Sequence, residues 1–241
     1  MKKTIICVLA LMIMAVGFVG CGSSKGQSSN SSQSQPDNVA QAKPAAPTAE
    51  ASPANNIAGK KTLVVYFSMP ETTKPNNMTK EEANSTVVIN GEVLGNTQYV
   101  AYLIQKNTGA DIFCIEPKTP YPTDHKTLID LAKKEQNNKA RPELMAKVEN
   151  LAQYDVIFLG YPNWWADMPM ILYSFLESHN LSGKTIIPFN THGGSGFSDT
   201  INTITKLQPN AKVIKNGYSV SRDTVQNCAD DVAAWVEKLK F

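Results

Sequence analysis

Five short apolar runs punctuate the chain between residues 60 and 241. Thr62-Leu63-Val64-Val65-Tyr66-Phe67, Val156-Ile157-Phe158-Leu159 and Thr185-Ile186-Ile187-Pro188-Phe189 are apolar with almost no alternation, the pattern of strands covered on both faces. Ile112-Phe113-Cys114-Ile115 and Lys212-Val213-Ile214 are shorter members of the set. Between these runs the period changes to that of a helix. Residues 97–106 carry Val100, Ala101 and Ile104 on one side, residues 168–178 are apolar nearly throughout, and residues 198–207 are amphipathic. Residues 225–239 place Val225, Cys228, Val232, Trp235, Val236 and Leu239 on one stripe. Strands alternating with helices predict right-handed βαβ units, hence an α/β domain with a doubly wound, five-stranded, mostly parallel sheet and helices on both faces.

One segment interrupts this rhythm. The first strand should pass directly into its helix, yet about residues 70–94 intervene. Within them Thr86-Val87-Val88-Ile89-Asn90-Gly91-Glu92-Val93 predicts a small hairpin, because Asn-Gly favours the type I′ turn that joins two twisted strands. The insertion falls in the first strand–helix loop, on the sheet edge where open α/β folds bind ligands.

The chain does not open on folded domain. Met1-Lys2-Lys3 is a positive start, residues 4–19 are uncharged and largely apolar, and Phe18-Val19-Gly20-Cys21 resembles the lipobox of bacterial lipoproteins. Residues 1–20 are therefore expected to be a cleaved signal peptide and Cys21 a lipidated N-terminus on the outer face of the cytoplasmic membrane. An uncleaved anchor helix and a plain secretory signal are the alternatives; the stretch is short for a membrane span. From residue 21 to 59 the chain is Ser, Gln, Asn, Ala and Pro with almost no large apolar residue, which predicts a flexible tether. As a coil it would reach roughly 35 Å. Residues 60–241 remain for one domain.

The net charge of +2 falls to near zero once Lys2 and Lys3 are removed. No strong field is left to attract nucleic acid, so none is expected as a partner. Four cysteines reduce to Cys114 and Cys228 in the domain. They read either as two buried thiols or as a disulfide that an extracytoplasmic location would permit.

The candidate chemistry lies where buried strands should end. Gly160-Tyr161-Pro162-Asn163-Trp164-Trp165 follows one apolar run, and Thr191-His192-Gly193-Gly194-Ser195-Gly196 follows another. Indoles could stack on a flat ring, while glycines let backbone N–H groups approach its edge. One tryptophan is expected to face the ligand and the other the protein. Ser68 and Met69 follow the first strand, and Gly95-Asn96-Thr97 opens the first long helix. Hydroxyls and N-terminal amides there suit an anion such as phosphate; Asn96 or Thr97 could equally cap the helix, and Thr72 or Thr73 could replace one hydroxyl.

Ser68 with Gly95-Asn96-Thr97 resembles the Ser-x-x-Gly-Asn-Thr phosphate loop of the flavodoxin family, and the Pro-Asn-Trp-Trp and Thr-His-Gly-Gly-Ser-Gly loops resemble its two ring-contacting loops. The similarity spans the domain from Lys61 to Leu239. It implies a flavodoxin-like fold of strand order 2-1-3-4-5 and FMN as cofactor. The implied FMN contacts are Ser68, Met69, Gly95, Asn96, Thr97, Pro162, Asn163, Trp164, Trp165, Thr191, His192, Gly193, Gly194, Ser195 and Gly196. No Ser-Gly-Ala-Thr segment of the kind used for covalent attachment is present, so the flavin should be held non-covalently. Carriers of this family commonly place an aromatic residue in the third loop; here none precedes Phe197. That implies a flavin face open to an acceptor, as in quinone- and nitro-reductase relatives.

His192 is the candidate catalytic residue, donating to flavin or acceptor, or else it only stabilises its loop. His125 and His179 lie alone on expected helix surfaces without metal-ligand spacing and read as solvated. Oxidoreductase and electron carrier both remain open, with the redox partner undefined. A flavin-free ligand-binding lipoprotein is the alternative. A hydrolase is disfavoured because Gly193-Gly194-Ser195-Gly196-Phe197 is not G-x-S-x-G.

Overall fold

A computed structural model describes residues 56–57 and 59–239. The expected signal peptide, the lipidation site Cys21 and nearly all of the tether lie outside these residues. The ordered sheet reaches back ahead of the boundary expected at residue 60: β1 (Asn56–Ile57) pairs antiparallel with the start of β2 (Lys60–Tyr66). The insertion then supplies α1 (Lys80–Ser85) and the hairpin of β3 (Thr86–Ile89) with β4 (Glu92–Gly95). The remaining elements are α2 (Asn96–Thr108), β5 (Asp111–Cys114), α3 (His125–Asn137), β6 (Val156–Pro162), α4 (Met170–Ser178) and β7 (Thr185–His192). They are followed by α5 (Thr200–Leu207), β8 (Lys212–Val213), β9 (Tyr218–Ser221) and α6 (Ala229–Glu237).

β2 lies between β5 and β6, β6 pairs with β7, and all these pairs are parallel. Period-2 geometry divides the apolar strands between two cores. Leu63, Val65, Phe67, Ile157, Leu159 and Tyr161 face one side, with Leu128, Ile171, Leu172, Phe175 and Ile204 of α3, α4 and α5 packed over them. Val64, Tyr66, Phe158, Ile187 and Phe189 face the other, under Val100, Ala101 and Ile104 of α2 and Val232 and Val236 of α6.

The fifth strand position is shared by two strands. β8 pairs with Thr185 and Ile186, and β9 with residues Phe189 to His192. Pro188 explains the break. Ile214 N–H donates to Ile186 O and Arg222 N–H to His192 O, so even-numbered residues of β7 face this edge. Pro188 also faces it and has no N–H to offer a neighbouring strand. The chain gives way there, and Gly217 presses so close that a Cβ would lie 2.2 Å from Pro188 O.

The insertion is ordered by local signals. Thr79 caps α1 through a capping box, its hydroxyl accepting from Glu82 N–H while Thr79 N–H donates to Glu82. Asn90 and Gly91 have φ of 51° and 83°, as a type I′ turn requires. Val87 and Leu94 bury the hairpin in the α2 side core. Cys114, half-buried, and Cys228, buried, are not joined by a disulfide. Among the described residues no helix is long and apolar enough to cross a membrane.

Candidate functional site

A cleft opens over the carboxyl ends of β2, β6 and β7. The sequence places Ser68 and Gly95 at the two ends of a long insertion, yet the structure brings them into contact. A Cβ on Gly95 would lie 2.2 Å from Ser68 Oγ, so the missing side chain leaves the room that the Ser68 hydroxyl occupies. Gln98 N–H donates to Ser68 Oγ (3.2 Å), and Gly95 N–H to Gln98 Oε1 (3.0 Å). Thr97 Oγ1 lies 2.8 Å from Thr191 Oγ1, tying the start of α2 to the end of β7. Asn96 Nδ2 donates to Asn84 O (2.9 Å), while its buried Oδ1 has no partner. Neither Thr72 nor Thr73 lines the cleft; Asn84 and Ser85 of the insertion do.

The second wall begins inside the sheet, not in a loop as its composition suggests, because β6 runs through Pro162 and pairs it with Thr191. Asn163 N–H then donates to Thr191 O (2.8 Å), so the two ligand loops leave the sheet joined. Trp164 turns inward, its ring packed edge-to-face on Phe67 (5.6 Å) and Tyr121 (5.7 Å). Trp165 is 49% exposed and leans on α3, donating Nε1–H to Ile129 O (3.2 Å) with Lys133 Nζ 5.1 Å from its ring centre. Both indoles line the cleft. Trp165 and Ala166 have φ of 54° and 58°, costly for residues with a Cβ and typical of geometry fixed for a site.

In the third wall, Thr191 and His192 still belong to β7. Gly194 N–H donates to His192 Nδ1 (2.9 Å), so the ring holds the following turn together. Burial lowers the His192 pKa, against the opposing field of Asp223. The neutral ring therefore carries its proton on Nε2. His192 also lines the cleft, so loop support and ligand contact coexist in one residue.

Thus Ser68, Met69, Asn96, Thr97, Pro162, Asn163, Trp164, Trp165, Thr191, His192 and Gly193 line one cleft. Gly95, Gly194, Ser195 and Gly196 are not in its lining. Gly194 and Gly196 take φ of 118° and 57°. Gly196 O accepts from the side-chain amides of Asn163 (2.9 Å) and Asn190 (2.7 Å), and Ser195 O from Ser198 N–H. Phe197 packs into the core.

Several lining residues escape the sequence reading. Arg222, just beyond β9, packs its guanidinium over Gly193, whose Cβ would lie 3.0 Å from Arg222 Cζ. No local motif marks it, since its place depends on the broken fifth strand. Glu71, Leu128, Ile129, Ala132 and His125 complete the cleft. The two isolated histidines are not solvated surface groups. His125 Nδ1 lies 2.9 Å from the nearly buried carboxylate of Glu71, reaching from α3 to the insertion. His179 is buried, stacks on Phe175 (4.2 Å), pairs through Nδ1 with Phe175 O and accepts Val148 N–H at Nε2. Asp124, whose carboxylate accepts Thr127 N–H, is the N-cap of the α3 that carries His125. No cluster among the described residues could hold a metal ion.

A family model described as Flavodoxin matches residues 85–239, beginning within the insertion and spanning α2 and the loops after β6 and β7. A putative flavoprotein from Bacteroides eggerthii DSM 20697 is 29% identical, with a TM-score of 0.53, over 73% of this chain and 99% of that one. A putative flavoprotein from Bacteroides uniformis ATCC 8492 is 26% identical, with a TM-score of 0.57, over 75% of this chain and 99% of that one. No curated protein matches the chain. With more than half of its length matched by the family model, the chain belongs to the flavodoxin family.

Proposed function

We propose that this chain is a membrane-anchored flavoprotein that holds FMN non-covalently in the cleft and passes electrons to a small acceptor of the quinone type. The observation that carries the cofactor is the reunion of Ser68 with Gly95 across the insertion. It rebuilds a phosphate cradle at the N-terminus of α2, opposite an indole wall and a glycine loop in the same cleft.

The donor set fits the cofactor. The Ser68 and Thr97 hydroxyls and the first amides of α2 would hold the phosphate. Trp164 and Trp165 offer ring faces, one braced by the core and one by α3. Asn163 Oδ1, buried, partnerless and in a cleft-lining residue, suits a ring N–H. Gly193 allows backbone to approach a ring edge.

FMN, when bound, supplies one- and two-electron redox chemistry. The protein residues bind, orient and place protons. His192 keeps Nδ1 for Gly194 and leaves Nε2–H as the donor to a group in the cleft. The third loop presents no aromatic side chain there, which favours access by a small acceptor. The near-neutral charge supports a reductase over a strongly acidic carrier steered to basic partners.

The anchoring part of the reading rests on the lipobox-like Phe18-Val19-Gly20-Cys21 and the polar tract after it. The cofactor is tested by titrating the purified full chain with FMN. Quenching of flavin fluorescence and flavin absorption that survives desalting are expected. FMN that elutes separately, unquenched, would overturn the reading and leave a flavin-free ligand-binding protein.

A further inference from the structure

Arg222 is the one arginine or lysine lining the cleft among the described residues. Its backbone N–H donates to His192 O (2.8 Å), which fixes its root beside the third loop. Its guanidinium lies on Gly193, with Cζ, Nη1 and Nε at 3.0, 3.1 and 3.3 Å from the position of a Cβ there. Its nearest acidic contact is loose, 3.9 Å between Nε and Asp223 Oδ1. Thus a planar cation with an unfilled set of donors is held against the backbone that forms the third wall.

We propose that Arg222 is a cofactor-tuning residue: its guanidinium pairs with the pyrimidine edge of the flavin and favours the reduced form. The inference rests on the reading that FMN occupies this cleft. At neutral pH reduction places negative charge on the N1–C2=O side of the ring. A fixed cation there interacts more strongly with the reduced than with the oxidised form, and only such a difference shifts the equilibrium between them. The alternative use of a guanidinium, pairing with phosphate, is less suited to this position. The phosphate cradle is built on Ser68 and α2, whereas Arg222 stands on Gly193.

The partition between these uses is measurable with the full chain. Dissociation constants for FMN and for riboflavin, which lacks the phosphate, are measured by fluorescence quenching. The reduction potential of bound flavin is measured by dye-equilibrated titration. Arg222→Ala is expected to weaken FMN and riboflavin by the same factor, about tenfold for one charged hydrogen bond, and to lower the potential. Arg222→Lys, which keeps the charge, should hold the potential nearer to that of the wild type. Weakening confined to FMN would assign Arg222 to the phosphate and overturn the proposal, as would an unchanged potential in Arg222→Ala. A wild-type chain that binds neither flavin would remove both the FMN reading and this one. Binding without any Arg222 effect would remove only this one.

Discussion

Gly95 has no side chain because Ser68 occupies the space that one would need. Gly95→Ala would drive a Cβ to 2.2 Å from Ser68 Oγ and 3.2 Å from Pro70 Cδ, so the Ser68 hydroxyl must leave its place and its bond to Gln98 N–H. The expected result is FMN binding weakened at least about tenfold, as when a cradle loses a charged hydrogen bond, with the far-ultraviolet circular dichroism unchanged. Unchanged affinity would mean that the cradle does not depend on this contact. Ser68, the Trp pair and the glycine loop were readable because each sits where a strand should end. Glu71, His125 and Arg222 were not. They reach the cleft through an inserted segment, a helix on the far side of it and a two-part strand, and no local spacing records such encounters. The tryptophan pair shows the same boundary. Composition predicts one indole facing the ligand and the other the protein; instead both line the cleft, and Phe67 and Tyr121, distant in sequence, decide that Trp164 is the one packed on the core.

Between elements, the register of β6 against β7 sets where both ligand loops begin. Gly160 faces Phe189 in that register, and a Cβ there would lie 2.1 Å from Phe189 Cζ. Both positions are fully enclosed, so the ring cannot swing into open space. Gly160→Ala should therefore cost about 1–3 kcal/mol, the range for overpacking a dense core. A lowered midpoint in urea, with an unchanged slope, would show it; an unaltered midpoint would mean that the strands slide apart without penalty. The three longer apolar runs foretold the buried β2, β6 and β7, because parallel strands bear helices on both faces, whereas the shorter runs became β5 and β8, which are not buried. The longer runs understated the length of β6 and β7, which continue through Pro162 and through Thr191 and His192. Polar and proline residues at these ends look like loop, yet main-chain pairing between the two strands keeps them in the sheet. The single fifth strand read at residues 212–214 is divided, because Pro188 removes the one donor needed to keep it whole.

For the whole molecule, the domain begins where a polar tract ends and the proposed lipid begins at Cys21. Cys21→Ser should move the chain from the membrane fraction to the soluble fraction after cell lysis, without changing flavin binding by the domain. A variant still sedimenting with membranes would point to an uncleaved apolar anchor in residues 4–19. The class of fold was legible from the alternation of strand and helix periods alone, since few architectures satisfy it. The insertion was legible as an interruption, but its return to Ser68 was not, for that depends on Gly95 meeting a residue at the far end of it. That return has a thermodynamic consequence. Joining Ser68 to Gly95 closes a loop over the 26 residues between them, and each doubling of a flexible loop costs about 0.6 kcal/mol in closure entropy. The capping box of α1 and the type I′ turn between β3 and β4 bring order to much of that length locally. With those residues held in α1 and the hairpin, the chain left to close between Ser68 and Gly95 is shorter than the insertion, and the entropy cost of keeping the cradle closed falls with it.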